Sequence, residues 1–507
     1  MPDDSFTASQ PVFRVAGIRA IEQQFLPQLP LMERAGAATA DVASRLVAGR
    51  SGPVLIAAGP GNNGGDGFVV ARVLKQAGHD VTVAFVGDPA RLPADARAAF
   101  DAWRDAGGDI VPEPPSGVEF ALAVDALFGI GLQRPIEGRY AEWIGRLNTL
   151  RCPLLAIDIP SGLDADTGRV LGTAVRARHT ATLIALKPGL LTLDGPDHCG
   201  DLSVHDLGID VVGAAAPEGL TVTPSMFAHL LAPRPKNNHK GLNGSIGILG
   251  GAAGMVGAAL LAGRAALKLG AGRVFVGLLD RAAPTVDPAQ PELMLRSARR
   301  ILEEGIVTCL AVGPGLGQSE TALALLRAAA DLPLPLVLDA DALNLVAAHP
   351  VLARHVARRT QPTLITPHPA EAARLLGGTT AGVQLDRIGA AVKLARELNA
   401  CAVLKGCGSI IAFPDGRWFI NISGNPGMAS AGMGDVLTGM AAALLAQGWG
   451  AGHALAGAVY LHGGAADALV AAGVGPVGLA AGELIDAART LLNRLVASNA
   501  ENGGRIS

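Results

Sequence analysis

The sequence predicts an α/β protein of two domains, each built on a mainly parallel β-sheet. Three observations predict this class. The 507 residues exceed the roughly 250 to 300 residues that a single hydrophobic core organises. Apolar strand-like runs alternate with helical patterns in both halves, which is typical of βαβ units. Glycine supplies 66 residues, almost twice its usual share of about 7%, and the excess falls in short turns.

Composition favours a small-molecule enzyme of a reducing compartment. A net charge of -3 without a basic block argues against nucleic acid as a partner. The five cysteines form no ligand-spaced cluster, which indicates a cytoplasmic location. The start MPDDSFTASQ lacks an export pattern. Polar residues interrupt the apolar regions 258–270 and 440–461, so we expect buried helices and no membrane segment.

The first half contains a βαβ unit followed by two strands that end in acidic residues. Residues 54–86 read as VLIAA, a loop GPGNNGGDG, a helix FVVARVLKQAG and a strand VTVAFV. The later strands are ALAVDA, with Asp125, and LLAID, with Asp158. Ligands of open parallel sheets bind beyond the carboxyl ends of the strands. The sequence therefore predicts one crevice formed by the loop 59–66, Asp125 and Asp158.

Each of these motifs has an ordinary alternative. The glycines of GPGNNGGDG serve a tight turn as well as a phosphate, whereas Asn62, Asn63 and Asp66 favour a monovalent cation or a polar ligand. Asp125 and Asp158 are also placed to cap helices. The setting of Asp158 in DIPSGLD favours proton exchange with a bound substrate.

The second half is predicted to begin after a weakly structured junction within residues 211–220. Its strands are SIGILGG, VFVGLL, LAVGPGLG, PLVLDADAL, TLITPHPAE and AVLKGCGS. No short-period repeat links the two halves, so we interpret the chain as a fusion of two unlike enzymes.

The most specific motif of the chain is GNPGMASAGMGD, which leads into an apolar helix. Glycines 424, 427, 432 and 434 expose successive backbone N–H groups near a helix start, which favours binding of a phosphoryl group. Asp435 would stand beside that phosphate and take a proton from a nucleophilic hydroxyl. The alternative is that Asp435 only caps the helix.

Two further segments accompany this motif. His368 in TPHPAE follows a strand, although a lone histidine is more often structural. Lys405 in LKGCGS suits a phosphate or a purine, whereas an isolated lysine is usually solvated. The turn GPGLG (313–317) offers one more close backbone approach.

With these residues in place, the chain resembles the bifunctional NAD(P)H-hydrate repair enzymes, in which an epimerase domain is fused to an ADP- or ATP-dependent dehydratase domain. The resemblance spans nearly the whole chain. LMERAG (31–36), NNGGDG (62–67), DALFGIGLQRPI (125–136) and DIPSGLD (158–164) are similar to epimerase motifs. HKGLNGSIGILGG (239–251), GPGLG, DADALN (339–344), TPHPAE, KGCGS and AGMGD are similar to dehydratase motifs.

The resemblance implies an N-terminal Rossmann-like doubly wound epimerase domain in residues 1–217. That domain would interconvert the R and S hydrates, with Asp158 handling the proton. Potassium would bind at Asn63, Asp125 and Ser161. The implied substrate contacts are Asn62, Asn63, Gly64, Gly65, Asp66, Gly129, Ile130, Gly131, Leu132, Gln133, Arg134, Pro135 and Asp158.

The resemblance also implies a C-terminal ribokinase-like α/β dehydratase domain in residues 218–507. It would phosphorylate the ring hydroxyl of the S hydrate from ADP, with Mg²⁺, and eliminate the phosphate. The implied hydrate contacts are Ala258, Gly315, His368 and the catalytic Asp435. The implied ADP contacts are Lys405, Gly406, Cys407, Gly408, Ser409, Gly432 and Gly434. A homo-oligomer is expected.

Two alternatives stay open at this point. A ribokinase-like small-molecule kinase fused to a nucleotide-binding domain would use the same AGMGD loop, but it leaves the N-terminal motifs without a purpose. A non-catalytic nucleotide-binding scaffold would have no need of Asp158 and Asp435.

Overall fold

The computed structural model describes residues 8–503, and the chain forms two compact units. The first unit spans Gln10–Leu220, and the second consists of the described residues from Thr221 onward together with Ala8 and Ser9. Residues 1–7, which carry most of the expectation about export, lie outside the described residues, as do residues 504–507.

Strands alternate with helices from Pro11 to Thr221. The strands are β1 (Pro11–Val12), β2 (Val54–Ala58), β3 (Val81–Phe85), β4 (Ile110–Val111), β5 (Leu122–Ala126), β6 (Leu154–Ile157), β7 (His179–Leu183), β8 (Asp201–His205) and β9 (Gly219–Thr221). The helices are α1 (Val15–Phe25), α2 (Leu31–Val47), α3 (Asn62–Gln76), α4 (Ala94–Asp105), α5 (Gly138–Leu147), α6 (Pro188–Leu191), α7 (Gly195–Cys199) and α8 (Val211–Ala214), with a 3₁₀ turn at Pro89–Arg91.

The expectation of a weakly structured junction at residues 211–220 is wrong. The segment contains α8 and most of β9. The side chain of Asp210 accepts a hydrogen bond from Gly213 N at 3.1 Å and caps α8. Leu220 pairs with Pro11 in an antiparallel ladder. The start of the segment is thus capped by a neighbouring residue, whereas its end pairs with a strand that is distant in sequence. Local composition does not reveal this second contact.

The first unit has the strand order of a doubly wound sheet. Seven of these strands form one sheet in the order β4-β3-β2-β5-β6-β7-β8, and every neighbouring pair is parallel. Successive residues of β2 enter opposite cores, with Ile56 on one face and Leu55 on the other. Helices cover both faces for this reason. The order reverses between β2 and β5, where such folds open their ligand crevice.

The second unit adds nine strands and eleven helices among the described residues. The strands are β10 (Ser245–Gly250), β11 (Arg273–Leu278), β12 (Met294–Ser297), β13 (Cys309–Val312), β14 (Leu336–Leu338), β15 (Thr363–Ile365), β16 (Cys401–Leu404), β17 (Ser409–Ala412) and β18 (Trp418–Asn421). The helices are α9 (Val256–Lys268), α10 (Ala298–Glu303), α11 (Glu320–Asp331), α12 (Ala340–Ala348), α13 (Pro350–Ala357), α14 (Pro369–Leu375), α15 (Thr380–Leu385), α16 (Arg387–Glu397), α17 (Met433–Ala446), α18 (Ala451–Ala471) and α19 (Ala481–Gly503), with 3₁₀ turns at Pro224–Leu230 and Pro426–Met428.

The strands of the second unit are also mainly parallel. They lie in the order β12-β11-β10-β13-β14-β15-β16-β17-β18, and only the last two pairings are antiparallel. The order reverses between β10 and β13. The prediction of two α/β units with mainly parallel sheets is confirmed.

Helix α17 packs against α9 and the sheet in the core of the second unit. Gly439 permits this approach, because a Cβ atom there would lie 2.0 Å from the carbonyl oxygen of Ala262. Helix α18 is the one helix within residues 8–503 that is long and apolar enough to span a membrane by length and composition, and 61% of its apolar window is buried in the fold. The apolar regions thus form core helices, as predicted.

Candidate active sites

The motif GPGNNGGDG begins a helix, although the sequence predicts a loop over its whole length. Helix α3 starts at Asn62 with Gly61 as its N-cap. The glycines allow the helix start to lie against the strands. A Cβ atom on Gly64 would be 1.9 Å from the Gly59 carbonyl oxygen, and one on Gly59 would be 1.7 Å from that of Leu127. The helix therefore begins inside the motif because its glycines pack closely against neighbouring backbone. The spacing of residues in the sequence does not show this packing.

Asp125, Ser161 and Asn63 converge beside this helix start. The Asp125 side chain is fully buried, and it accepts hydrogen bonds from Ser161 N at 2.7 Å and Ser161 Oγ at 2.6 Å. The Ser161 hydroxyl also accepts from Phe128 N at 2.8 Å. Asn63 Oδ1 lies 3.2 Å from the position of a Cβ atom on the adjacent Gly129. The three residues predicted to hold potassium therefore surround one region.

Two features of this region suit a cation. The Asn63 Nδ2 atom is buried and has no hydrogen-bond partner among the described residues. Rotating the side-chain amide by half a turn would place its carbonyl oxygen, which can bind a cation, at the position of that nitrogen. Burial raises the pKa of Asp125 to about 6, against the opposing effect of the hydrogen bonds from Ser161. No lysine or arginine within residues 8–503 pairs with Asp125, so a bound cation would compensate its charge.

Asp158 lies at the carboxyl end of β6 in a left-handed conformation with φ of 64°. Its Oδ1 atom accepts hydrogen bonds from Leu183 N at 3.0 Å, Thr182 Oγ1 at 3.3 Å and Lys187 Nζ. Sequence analysis missed Lys187, which is fully buried. The available signal was a lysine within the apolar run ATLIALKPGLL.

Two more carboxyl groups lie near Asp158. Burial and then the negative charge of Asp158 raise the pKa of Glu22 on α1. The same two causes, with a smaller effect of Glu22, raise the pKa of Asp66 on α3 well above its ordinary value. Asp66 was predicted from the sequence, whereas Glu22 was not, since α1 carries no motif.

The loop 129–135, predicted to contact substrate, follows β5 at the same edge of the sheet and is largely exposed. Its Gly131 lies close to Arg19 of α1, because a Cβ atom on Gly131 would be 3.5 Å from Arg19 Nη2. The structure therefore brings the motif residues at 62–66, the loop and Asp158 to one edge of the sheet, with Arg19 and Glu22 as unforeseen neighbours.

In the second unit, Ala258 and Gly315 meet where the strand order reverses. Gly315 has φ of 59°, and a Cβ atom on it would lie 2.6 Å from the Met255 carbonyl oxygen and 3.3 Å from the Ala258 side chain. The next glycine, Gly317, donates its backbone N–H to Asp341 Oδ2 at 2.8 Å. GPGLG is thus a close backbone approach, as predicted.

Asp339 and Lys405 form the electrostatic centre of this site. Lys405 Nζ donates to Asp339 Oδ1 at 2.9 Å, and Thr438 Oγ1 donates to Asp339 Oδ2 at 2.8 Å. Burial lowers the pKa of Lys405, but the negative charges of Asp339 and Glu371 outweigh it and raise the pKa overall. Lys405 is therefore a partly buried, paired cation and not a freely solvated one. The sequence analysis quoted DADALN without giving Asp339 a role.

Asp435 stands in the first turn of α17 without acting as its cap. The N-cap is Gly432, which has φ of 88°. The Asp435 side chain makes no hydrogen bond within residues 8–503. Burial, and secondly the charge of Asp339, raise its pKa to about 6, while Lys405 opposes the shift. A Cβ atom on Gly434 would lie 3.1 Å from Lys405 Nζ, so the helix start, Lys405 and Asp435 form one site.

His368 has a structural role of the kind that the sequence analysis left open. It is the N-cap of α14, and its Nδ1 atom accepts a hydrogen bond from Ala370 N at 3.1 Å. The side chain of Glu371 accepts from His368 N at 2.8 Å and completes a capping box. Burial lowers the pKa of His368, with Lys405 as the next cause. The imidazole is therefore neutral and stays half-exposed beside the charged pair.

The segment 405–409 forms a turn held by Arg387, a residue that sequence analysis missed. Gly406 has φ of 138°. The almost fully buried Arg387 donates to the carbonyl oxygens of Leu404 and Lys405 at 3.4 and 3.3 Å. Ser409 Oγ donates to the Gly406 carbonyl oxygen at 3.0 Å. The predicted ADP contacts thus lie at the carboxyl end of β16 beside α17.

Comparison with known proteins assigns each half to a family. Residues 28–189 match the family model described as YjeF-related protein N-terminus. Residues 246–488 match the family model described as NAD(P)H-hydrate dehydratase.

Curated relatives share both halves. The chain is 40% identical to the bifunctional NAD(P)H-hydrate repair enzyme of Vibrio cholerae, covering 94% of this chain and 95% of the relative. It is also 40% identical to that of Escherichia coli, covering 87% and 85%. Among solved structures, it is similar to the ADP/ATP-dependent NAD(P)H-hydrate dehydratase of Bacillus subtilis, at 32% identity, with 54% of this chain and 98% of that one covered and a TM-score of 0.49. The chain belongs to the bifunctional NAD(P)H-hydrate repair enzymes and joins an epimerase domain to a dehydratase domain.

Proposed function

We propose that the first domain, residues 1–217, interconverts the R and S hydrates of NADH and NADPH, and that the second, residues 218–507, returns the S hydrate to the reduced cofactor. The observation that carries the proposal is a pair of carboxylates, one in each unit. Asp158 and Asp435 both lie at the carboxyl edge of a parallel sheet, and each has an oxygen without a donor within residues 8–503.

Asp158 is the proton-transfer group of the epimerase. Its Oδ1 atom is occupied by three donors, so Oδ2 is the atom that remains for the substrate. A positioned carboxylate of this kind contributes typically about 10²- to 10⁴-fold to a rate. The substrate contacts are residues 62–66 and 129–135, which lie at that edge of the sheet.

Asp435 is the base of the dehydratase. It takes the proton from the ring hydroxyl, whose oxygen then bonds to the terminal phosphorus of the nucleotide while the bridging oxygen leaves with the remaining nucleotide. Phosphate, a better leaving group than hydroxide, then departs with the electron pair of the C–O bond, and the neighbouring ring carbon loses a proton to water, which re-forms the double bond of the dihydronicotinamide ring. Backbone N–H groups at the start of α17 stabilise the phosphoryl charge, and Lys405 adds a fixed positive charge beside them.

ADP is the proposed phosphoryl donor, held by residues 405–409, Gly432 and Gly434. Ala258, Gly315 and His368 contact the hydrate. Mg²⁺ commonly binds through one or two carboxylates together with substrate phosphates, and it would supply charge neutralisation there. The described residues contain no cluster of three metal-ligating side chains, so phosphate oxygens would have to complete its coordination.

Potassium is the proposed ion of the epimerase domain, held by Asn63, Asp125 and Ser161. The buried amide of Asn63 and the buried Asp125 without a basic partner fit a monovalent cation, which would supply local charge compensation and fix the start of α3. Homo-oligomeric assembly and a cytoplasmic location are further proposals, which size-exclusion chromatography and cell fractionation test.

The deciding experiment incubates the purified protein with R and S hydrates, with and without ADP, and follows the return of reduced nicotinamide absorbance. With ADP, both isomers should be consumed, whereas without ADP the R to S ratio should equilibrate and no absorbance should return. Consumption of the S form alone would show that the first domain lacks epimerase activity. Membership of the repair family favours this function over a kinase for an unrelated alcohol.

A further inference from the structure

Lys187 is a fully buried lysine directly beside the proposed catalytic carboxylate. It follows β7 and precedes α6, and its side chain is 0% exposed. A buried ammonium group is costly unless it is paired and hydrogen-bonded. Lys187 meets both conditions, since its Nζ atom donates to Asp158 Oδ1, to Thr182 Oγ1 at 3.0 Å and to the Leu183 carbonyl oxygen at 2.6 Å.

These three bonds decide what Lys187 does. An ammonium group has three protons, and each has an acceptor that belongs to the protein. Lys187 therefore has no proton to offer a substrate, and its complete burial keeps it out of the crevice. Its effect must pass through Asp158, whose Oδ1 atom it shares with Leu183 N.

The charges around Asp158 make this cation necessary. Glu22 and Arg19 approach from α1 and Asp66 from α3. Asp158 therefore has two further carboxyl groups near it, and Arg19 is exposed to solvent. Like charges at short range favour protonation of a carboxylate, and a nearby cation opposes it by about 1 to 3 pKa units. Lys187 is the buried cation that contacts Asp158, so removing it would leave that carboxylate beside two other carboxyl groups without a paired positive charge.

We propose that Lys187 is a positioning residue of the epimerase, which keeps Asp158 ionised and turns its Oδ2 atom toward the substrate. The inference rests on the proposed role of Asp158 in proton transfer. Lys187 fixes one oxygen of the carboxylate so that the other is both charged and oriented. It thereby distinguishes Asp158, which has a buried cationic partner, from Asp66 and Glu22, whose pKa values are raised by burial and by the charge of Asp158.

The test is the pH dependence of epimerisation in the full-length protein with Lys187→Met and Lys187→Arg. Rates are measured from pure R hydrate without ADP, after subtraction of the uncatalysed rate. The methionine variant should move the acid limb of kcat/KM upward by about 1 to 3 pH units and recover rate at high pH, with KM little changed. The arginine variant keeps the charge and should keep the acid limb of the wild type.

A purely structural role predicts a different result. Lys187→Met would then lower the rate equally at every pH, and an unshifted acid limb overturns the proposal. If the methionine variant fails to fold, the arginine variant alone decides, because a shifted limb despite the retained charge contradicts the inference. Asp158→Asn separates the two ideas: full activity in that variant rejects Asp158 as the base, whereas loss of activity with an unshifted Lys187→Met limb rejects only the role of Lys187.

Discussion

Lys405 Nζ lies 2.9 Å from Asp339 Oδ1, and this contact joins the nucleotide segment after β16 to the start of α12. Asp339 also accepts the hydroxyl of Thr438 on α17. One carboxylate that is 1% exposed thus ties together the two segments that are proposed to hold ADP.

The first prediction concerns Asp339→Asn. It leaves Lys405 without its hydrogen-bonded anion. Breaking a fully buried pair by removing one partner costs about 3 to 5 kcal/mol, and the cost here should be smaller because the Lys405 side chain is 21% exposed. We expect a lower free energy of unfolding and weaker ADP binding, measured by urea denaturation and calorimetry. Thr438→Val is the matched control, which removes one hydrogen bond of about 1 kcal/mol and keeps the charges. Equal effects of the two variants would contradict a role for the ion pair.

A second prediction is that epimerisation requires potassium. Asn63, Asp125 and Ser161 offer oxygens of a buried site, and a bulky organic cation cannot enter it. Replacing potassium by such a cation should slow epimerisation and leave ADP-dependent dehydration unchanged, as followed by chromatography of the two hydrates. Ser161→Ala should weaken the response to potassium. Identical epimerisation rates with both cations would mean that these residues serve only the fold.

A third prediction is that dehydration survives without the first domain. Residues 221–507 contain every proposed dehydratase contact and, apart from Ala8 and Ser9, all the described residues of the second compact unit. This fragment should convert the S hydrate in the presence of ADP and leave the R hydrate unconsumed beyond its spontaneous epimerisation. A folded fragment, judged by a cooperative thermal transition, that lacks S-hydrate dehydration would contradict the assignment of the two activities.

The order of the strands explains why so much of each site was predictable. Parallel strands with short turns place Asp125, Asp158, Lys405 and the GPGLG turn at carboxyl edges, and each of them directly follows or ends an apolar run in the sequence. Lys187 and Asp339 were not assigned roles, because their importance lies in partners 29 and 66 residues away. A side-chain contact between residues that are distant in sequence produces no periodic pattern, so only the structure reveals it.

The fourth prediction tests why the motif GPGNNGGDG contains so many glycines. Gly64→Ala should destabilise the first unit strongly, because its Cβ atom would lie 1.9 Å from the Gly59 carbonyl oxygen. Overpacking of this kind costs about 1 to 3 kcal/mol. Gly61→Ala is the control, since no atom lies within 4 Å of its Cβ position. Thermal unfolding of both variants checks this, and similar losses would reject close packing as the reason.

The last prediction is that Asp435→Asn abolishes dehydration and leaves ADP binding largely intact. The backbone N–H groups at the start of α17 bind the phosphate and stay in place when the side chain becomes an amide. The carboxylate has a separate task, because an amide cannot accept the proton of the ring hydroxyl. We expect a loss of about 10²- to 10⁴-fold in the rate, measured with the S hydrate and ADP, beside calorimetric ADP affinity.

The pKa of Asp435 adds a second measurement. Because burial raises it to about 6 and the base acts in its ionised form, wild-type dehydration should fall as pH drops below about 6. Ionising a carboxyl group of raised pKa opposes folding above that pH, so Asp435→Asn should unfold at no lower temperature than the wild type at pH 7. If Asp435 instead served mainly to stabilise the first turn of α17, the variant would lose stability, and ADP affinity would fall together with the rate.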